Sequence, residues 1–310
     1  MRKARIVVVG SSNTDMVVKA DRIPVPGETV TGGQFVMAAG GKGANQAVAA
    51  ARLGAQVTFV AKLGQDMFGD QAIENYAKEG IVTNLILRDP ENHTGVALIM
   101  VDQQGENLIA VASGANHALT PEDVERAADR IREADVVMLQ LETPMETVEF
   151  TAQLAADAGV PVILDPAPAA PLSEALLRRV TYLTPNESEA ERLTGVPVRD
   201  EASARAAAEK LLAAGARHVI VTLGAKGALV AGPGQATMVP GYAVKARDST
   251  AAGDAFNGGL ASALAKGLPL EEAVREASLV GALSVTRMGA QPSLPTADEL
   301  RRFAKTVLGR

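Results

Sequence analysis

Six short apolar runs, rich in β-branched residues and spaced by alanine-rich stretches, constrain this 310-residue chain more than any other feature of its sequence. They are "RIVVVG" (5–10), "QVTFVAKLG" (56–64), "ADVVMLQLE" (134–142), "VPVILDP" (160–166), "VTYLTPN" (180–186) and "RHVIVTLG" (217–224). Runs so short and so branched read as strands buried on both faces. The stretches 43–53, 68–79, 121–132, 144–158 and 200–214 read as helices. "LTPEDVERAA" carries its own start signal, with Thr120 as cap and Pro121 in the first turn. Strand alternating with helix builds βαβ units, and therefore an α/β fold with a mainly parallel sheet covered on both faces. Further helices are predicted over 252–266, 270–286 and 296–308.

Two segments break this rhythm. Residues 13–38 and 94–112 carry apolar strand-like runs with no helix between them, and "DQQGEN" reads as a hairpin turn. The plain reading is a decorative hairpin. The sharper one is a small inserted β-sheet acting as a lid on a single domain spanning 1–310. An apolar sheet without helices needs cover, which predicts a homodimer formed through the lid.

Composition removes several function classes. The formal net charge is −6, so there is no basic footprint for nucleic acid. The pairs Arg178–Arg179 and Arg301–Arg302 read as solvated helix faces. No apolar run approaches the ~18–20 residues of a membrane span, and the run Ile6 to Val9 is too short for a secretion signal. The chain has no cysteine, which excludes disulfides and thiolate chemistry and suits a cytoplasmic protein. His93, His117 and His218 stand in no metal-ligand spacing and read as structural or surface residues.

Four loops carry the chemistry. "AAGGKGANQA" (38–47) resembles a phosphate loop, yet Lys42 is followed by Gly43 rather than Ser or Thr, and G-x-G-x-x-G also fails. What remains is Lys42 and Asn45 at a helix start, among glycines that let backbone approach a ligand. "DSTAAGDAFNGG" (248–259) places the N–H groups of Ala251, Ala252 and Gly253 at a helix N-terminus, where they would form an anion hole. Asp254 in that first turn reads either as a base for a substrate hydroxyl or as a carboxylate that favours the helix dipole. In "TPNESEAERLTG" (184–195), Asn186 and Glu189 read either as partners of hydrated Mg²⁺ or as a capping arrangement, and spacing does not separate the two. "VTLGAKGALV" (221–230) is a strand, a glycine turn and a second apolar run.

Together with "GSSNTD", "PGETVTG", "LQLETP", "DPAPA" and "SVTRMGAQPSLP", these stretches follow the order found in ribokinases of the PfkB carbohydrate kinase family, and the resemblance covers nearly the whole chain. "GGKGANQA" with "GAQPS" is its most specific part. The resemblance implies a ribokinase-like three-layer α/β/α fold with a β-sheet lid, and ATP-dependent phosphorylation of D-ribose. It makes Asp254 the base for the O5 hydroxyl and the 251–253 amides the anion hole. Asn13, Asp15, Gly41, Lys42, Gly43, Asn45 and Glu142 become sugar-binding positions. Asn186 and Glu189 match the N-x-x-E motif tied to Mg²⁺ and phosphate, and Thr222, Leu223, Gly224 and Gly227 match the nucleotide site. A monovalent cation, usually K⁺, is implied at Asp248, Thr250, Ser284, Arg287, Gly289 and Ser293, mostly through carbonyls. Two positions depart from the pattern. Ser278 stands where many members place an asparagine near adenine, so base selectivity is left open. Thr250 stands where some members carry an apolar residue. The alternatives are another kinase of the family, acting on a ketose, a keto-deoxy sugar acid or a nucleoside, or a sugar sensor that has lost catalysis. The few aromatics, none in the sugar-like motifs, favour a bare sugar over a nucleoside.

Overall fold

The computed structural model describes residues 2–309. The chain runs β1 (Arg5–Val9), β2 (Asn13–Lys19), β3 (Gln34–Gly40), α1 (Lys42–Arg52), β4 (Gln56–Gly64), α2 (Met67–Lys78) and β5 (Ile86–Asp89). Next come β6 (Gly95–Val101), β7 (Asn107–Ala112), α3 (Pro121–Glu125), α4 (Ala128–Arg132), β8 (Val136–Leu139), α5 (Met145–Asp157) and β9 (Val162–Leu164). Then follow α6 (Glu174–Leu177), β10 (Tyr182–Leu183), α7 (Glu187–Thr194), α8 (Glu201–Ala213), β11 (His218–Thr222), β12 (Gly227–Gly232) and β13 (Gln235–Pro240). Three helices close the chain: α9 (Ala252–Ala265), α10 (Leu270–Ser284) and α11 (Ala297–Leu308).

Nine strands form one sheet in the order β13-β12-β11-β10-β9-β8-β1-β4-β5. It is parallel except where β12 pairs antiparallel with β11 and β13. All six sequence-predicted strands lie in it. Alternation along β1 explains the three layers. Ile6 and Val8 join an apolar cluster with α1, α9 and α10, while Val7 and Val9 join a second cluster with α5 and α8 on the other face.

Strand order reverses at β1, which is flanked by β4 on one side and β8 on the other. In open parallel sheets the loops at the carboxyl ends of strands beside such a reversal form a crevice. Ser11, Glu142, Asp165, Asn186 and Thr222 all sit at or just beyond the ends of their strands.

The predicted helix 121–132 is two helices, with a break at 126–127. Val124, Ala127, Ala128 and Ile131 are all buried, so the apolar period runs unbroken across the interruption of the hydrogen-bond ladder. That is why the sequence reads as one helix. The start signal is realised, with Thr120 and Asp123 forming a capping box. The short strands β5 and β13 were not expected.

The segments that broke the rhythm pair in space as a separate sheet, β3-β2-β6-β7. β2 and β6 run parallel, from Asn13 opposite Gly95 to Lys19 opposite Val101. One cross-strand row is Val36, Val17, Ile99 and Ile109, and the adjacent row, on the other face, is Phe35, Val18, Met100 and Leu108. Both faces are therefore apolar, unlike a sheet with one wet side. Phe35 is 62% exposed and Ile109 53%. No helix among the described residues is long and apolar enough to cross a membrane.

Candidate active site

A cavity of about 200 Å³ opens at the carboxyl ends of β9, β10 and β11, and Lys42, Asp165, Asn186, Glu189, Thr222, Gly253, Asp254 and Asn257 all line it. None of its lining residues is aromatic. A larger hollow of about 410 Å³ lies between residues 169–172 and α6, α7 and α8. It is walled by aliphatic side chains with Arg192 and Lys210, and it holds no sequence-predicted site residue. The convergent acids mark the smaller cavity as the chemical one.

The helix N-terminus at α9 is built without a side-chain cap. Ala251 adopts a left-handed conformation (φ 58°), a strained choice for alanine. The Ala252 N–H donates to the Ser249 carbonyl at 3.1 Å, so one of the three predicted anion-hole amides already closes a turn. A Cβ on Gly253 would meet nothing within 4 Å, leaving that backbone open to a ligand.

Asp254, 5% exposed, lies in the first turn of α9. Its Oδ2 accepts from Asn45 Nδ2 at 2.9 Å and its Oδ1 from Gln46 Nε2 at 3.1 Å, both from α1. Burial holds its carboxyl above the ordinary carboxylate range, against the opposing pull of Lys42 and the two amides. Asp165, which lies beyond β9, is buried and raised further for the same reason. Lys42 at the start of α1 is half-buried, and the loss of water around its ammonium by itself disfavours its charge. The facing carboxylates of Asp254, Asp165, Glu142 and Glu189 outweigh that and hold it charged.

The predicted sugar-binding positions come together. Glu142 Oε2 accepts from the Lys42 N–H at 3.0 Å and from Ser11 Oγ. Asn13 is buried, and its Oδ1 accepts from Asn116 Nδ2 at 2.7 Å. Gly41 and Gly43 serve packing between segments of the chain itself. A Cβ on Gly41 would lie 2.7 Å from the Asn13 nitrogen, and one on Gly43 2.6 Å from the Ser11 nitrogen. These glycines let α1 sit directly on the turn after β1.

On the nucleotide side the two readings of N-x-x-E prove compatible. Asn186 Oδ1 accepts from the Glu189 N–H at 2.9 Å and Glu189 Oε2 accepts from the Asn186 N–H at 2.9 Å, a full capping box. The same pair lines the cavity. Thr222 lies there too, bridged to Asn186. Leu223, Gly224 and Gly227 form the turn into β12, where the Leu223 N–H donates to the Gly227 carbonyl at 2.8 Å. Ser278, half-buried on α10, is not among the lining residues.

The predicted cation positions are tied together by hydrogen bonds. Asp248 accepts from the Thr250 N–H at 2.9 Å, from Thr250 Oγ1 at 2.6 Å and from the Gly289 N–H at 2.7 Å. Its N–H donates to the Val285 carbonyl, the Arg287 N–H to the Ser284 carbonyl, and Ser293 bonds back to Ala290. With the Asp248 side chain so engaged, a monovalent cation would be held by backbone carbonyls of these segments, which suits a weakly polarising ion. For Mg²⁺, no three acidic or histidine side chains among the described residues are grouped so as to hold a metal ion by themselves. Asp165 and Glu189 at the cavity fit an ion that keeps most of its waters and binds through one or two carboxylates plus phosphate. His218 stacks on Tyr182 with ring centroids 5.4 Å apart, whereas His117 is exposed.

Sequence reasoning missed Ser11, Gln46, Asn116, Asp165 and Asn257. Asp165 carried a signal, as the acid that ends an apolar strand. Asn257 carried one too, one turn beyond Asp254 on the same helix face. Ser11, Gln46 and Asn116 acquire their partners only through long-range packing.

Comparison with known proteins places the whole chain. The pattern of the pfkB family carbohydrate kinases matches residues 3–297. A ribokinase from Haemophilus influenzae is 46% identical over 98% of this chain and 99% of its own length. A deoxyribokinase from Salmonella typhi is 39% identical over 96% of this chain and 98% of its own length. The structure of Arabidopsis thaliana ribokinase complexed with ribose and ATP superposes with a TM-score of 0.93 at 34% identity, covering 98% of this chain and 99% of that one.

One consequence of the geometry is measurable without any ligand. Burial, then the nearby charges of Glu142 and Asp254, push the Asp15 carboxyl from an ordinary 3.8 up to about 6. A raised acid costs the folded state stability once it must ionise, so the cost is absent below about pH 3.8 and full above about pH 6. Asp15→Asn is expected to raise the melting temperature at pH 7.5, with the gain shrinking to nothing toward pH 4. A gain that does not vary with pH would remove this electrostatic account.

Proposed function

The chain belongs to the pfkB family of carbohydrate kinases, and from that membership we propose that it is an ATP-dependent ribokinase. It transfers the terminal phosphoryl group of ATP to the O5 hydroxyl of D-ribose, giving ADP and ribose 5-phosphate. The observation that carries the assignment is Asp254, buried at the N-terminus of α9, with both oxygens held by amides of α1 and with Lys42 facing the same cavity.

In this reading the sugar lies between Asn13, Asp15, Lys42, Asn45, Glu142 and Asp254. Asp254 takes the hydroxyl proton while the sugar oxygen bonds to phosphorus. The bond from phosphorus to the ADP oxygen breaks, and the proton ends on Asp254. Positioning and charge neutralisation dominate such transfers. The open Gly253 backbone at the positive end of α9 faces the phosphoryl group, and Lys42 neutralises charge. Asn186 and Glu189 would hold a hydrated Mg²⁺, which would neutralise phosphate charge. Nucleotide contacts run along Thr222, Leu223, Gly224 and Gly227, with Ser278 beyond them. Backbone carbonyls of the 248–250 and 284–293 segments would hold K⁺, which would add positive charge beside the N-terminus of α9. Without an aromatic in the cavity lining, a nucleoside base has no stacking platform there.

A second reading, 2-deoxyribose as acceptor, is favoured by the deoxyribokinase relative at 39% identity. Comparing turnover on ribose and 2-deoxyribose separates the two. We place the protein in the cytoplasm, and assign the small sheet as a lid that excludes water. Its two apolar faces are best covered by the same sheet of a second copy.

Asp254→Asn is expected to slow turnover by at least about a hundredfold while ribose still binds; near-normal rates would sink the base assignment. Activity in K⁺ buffer should clearly exceed that in Na⁺ or choline, and equal rates would remove the cation from the account. Light scattering should give twice the mass of one chain, reduced to one chain by Ile109→Lys. A wild-type monomer at assay concentration would end the dimer proposal.

A further inference from the structure

Between the acids and the centre of the sheet lies a buried pair of amides that the reaction as described does not use. Gln46 is fully buried and Gln140 is 1% exposed. Gln46 Nε2 donates to Asp254 Oδ1 at 3.1 Å and to Asp165 Oδ2 at 2.8 Å, so both of its hydrogens are spent on carboxylates. Its Oε1 accepts from Gln140 Nε2 at 2.7 Å. Gln140 Oε1 is left without a partner.

The direction of this chain follows from the acids. Where both are ionised, Asp254 and Asp165 only accept, so Gln46 turns its NH₂ group to them and its oxygen away. Gln140 must then present its own NH₂ group to that oxygen, and its carbonyl is the group left over. An unpaired buried carbonyl costs about 1–3 kcal/mol, a cost the arrangement accepts. The place is reserved for it: a Cβ on Gly10 would collide with Gln140 Oε1.

We infer that Gln46, oriented by Gln140, is the residue that positions Asp254, anchoring Oδ1 through an amide that no substrate displaces and leaving Oδ2 as the oxygen that meets the sugar. The two oxygens differ in their partners. Oδ2 is held by Asn45, itself expected to turn to the sugar, and Asn45 Oδ1 is buried and unpartnered. Once Asn45 engages the sugar, Oδ2 is released toward the hydroxyl, while Gln46 keeps the carboxylate plane fixed through Oδ1. The same amide ties Asp254 to Asp165, so the carboxylate of α9 and the end of β9 share one anchor. Gln46 touches no reacting atom, and its role is positioning.

This inference rests on Asp254 as the base, and the experiment separates the two claims. Single-turnover phosphoryl transfer and calorimetric ribose affinity are measured for Gln46→Met, Gln140→Glu and Asp254→Asn in the full-length protein. Gln46→Met removes the anchor at nearly constant shape. Gln140→Glu leaves Gln46 in place and, at a pH high enough to ionise the new carboxyl, sets a carboxylate oxygen against Gln46 Oε1, driving its amide to turn its oxygen toward Asp254. Both are expected to slow transfer at least tenfold with ribose affinity within threefold of the wild type. A slowing of less than tenfold in either variant, or ribose affinity weakened tenfold or more, overturns the positioning role. Should Gln46→Met fail to fold, Gln140→Glu decides alone by the same limits. Near-normal transfer in Asp254→Asn would refute the base assignment itself. An inactive Asp254→Asn beside an unimpaired Gln46→Met would leave the base standing and remove only its anchor.

Discussion

The site depends on the close approach of α1 and α9. Helices come this near only where side chains are small, and both sequences provide for it. Ala49 on α1 faces Gly258 of α9, where a Cβ would collide with it. Gly259 makes the same allowance for α10, with a Cβ there lying 2.9 Å from Val280. With the axes so close, the first turns of the two helices meet, and Asn45 and Gln46 reach Asp254 within 3.1 Å. Both helix N-termini then point at one cavity and add positive potential where charge collects.

That contact creates an electrostatic problem that the function uses. Asp254, Asp165, Glu142 and Glu189 surround one ammonium, Lys42, and Asp15 adds a fifth carboxylate nearby. In the folded protein alone, several of these groups are less stable as charged species than they would be in water. The amides of Asn45 and Gln46 offset part of the cost and a bound cation would offset more. A bound sugar, with hydroxyls able to donate to carboxylates, would offset more still, so stability given up here would be recovered on binding, the usual pattern for preorganised polar sites.

Polar residues in this structure often hold the fold and the site together. Asn186 and Glu189 cap α7 in full and still line the cavity. Asp248 closes its own turn and fastens it to Gly289 across the chain. Asn116 binds the Ser12 backbone and Asn13 at once, setting the turn from β1 into β2. For such residues a capping role and a ligand role are not competing explanations, because a cap fixes the rotamer that a ligand then meets.

Much of the site was legible as motif: Lys42 and Asn45 at one helix start, Asp254 at another and N-x-x-E at a third. Helix start signals are local, and each names its own element. The six strands were legible for the same reason, since β-branched apolar runs declare burial without reference to partners. The break between α3 and α4 was hidden because the apolar period continues through it. By itself the sequence determined the α/β alternation, the helix starts that carry charge, and the two strand-rich insertions. Tertiary structure alone decided the order and register in which those insertions pair. It also decided that the glycines beside Lys42 face the turn after β1, and that Gln46 stands between two buried acids. These are contacts between residues roughly 30 to more than 200 positions apart. No local pattern encodes them, because each follows from the strand order and from how closely two helices can pack.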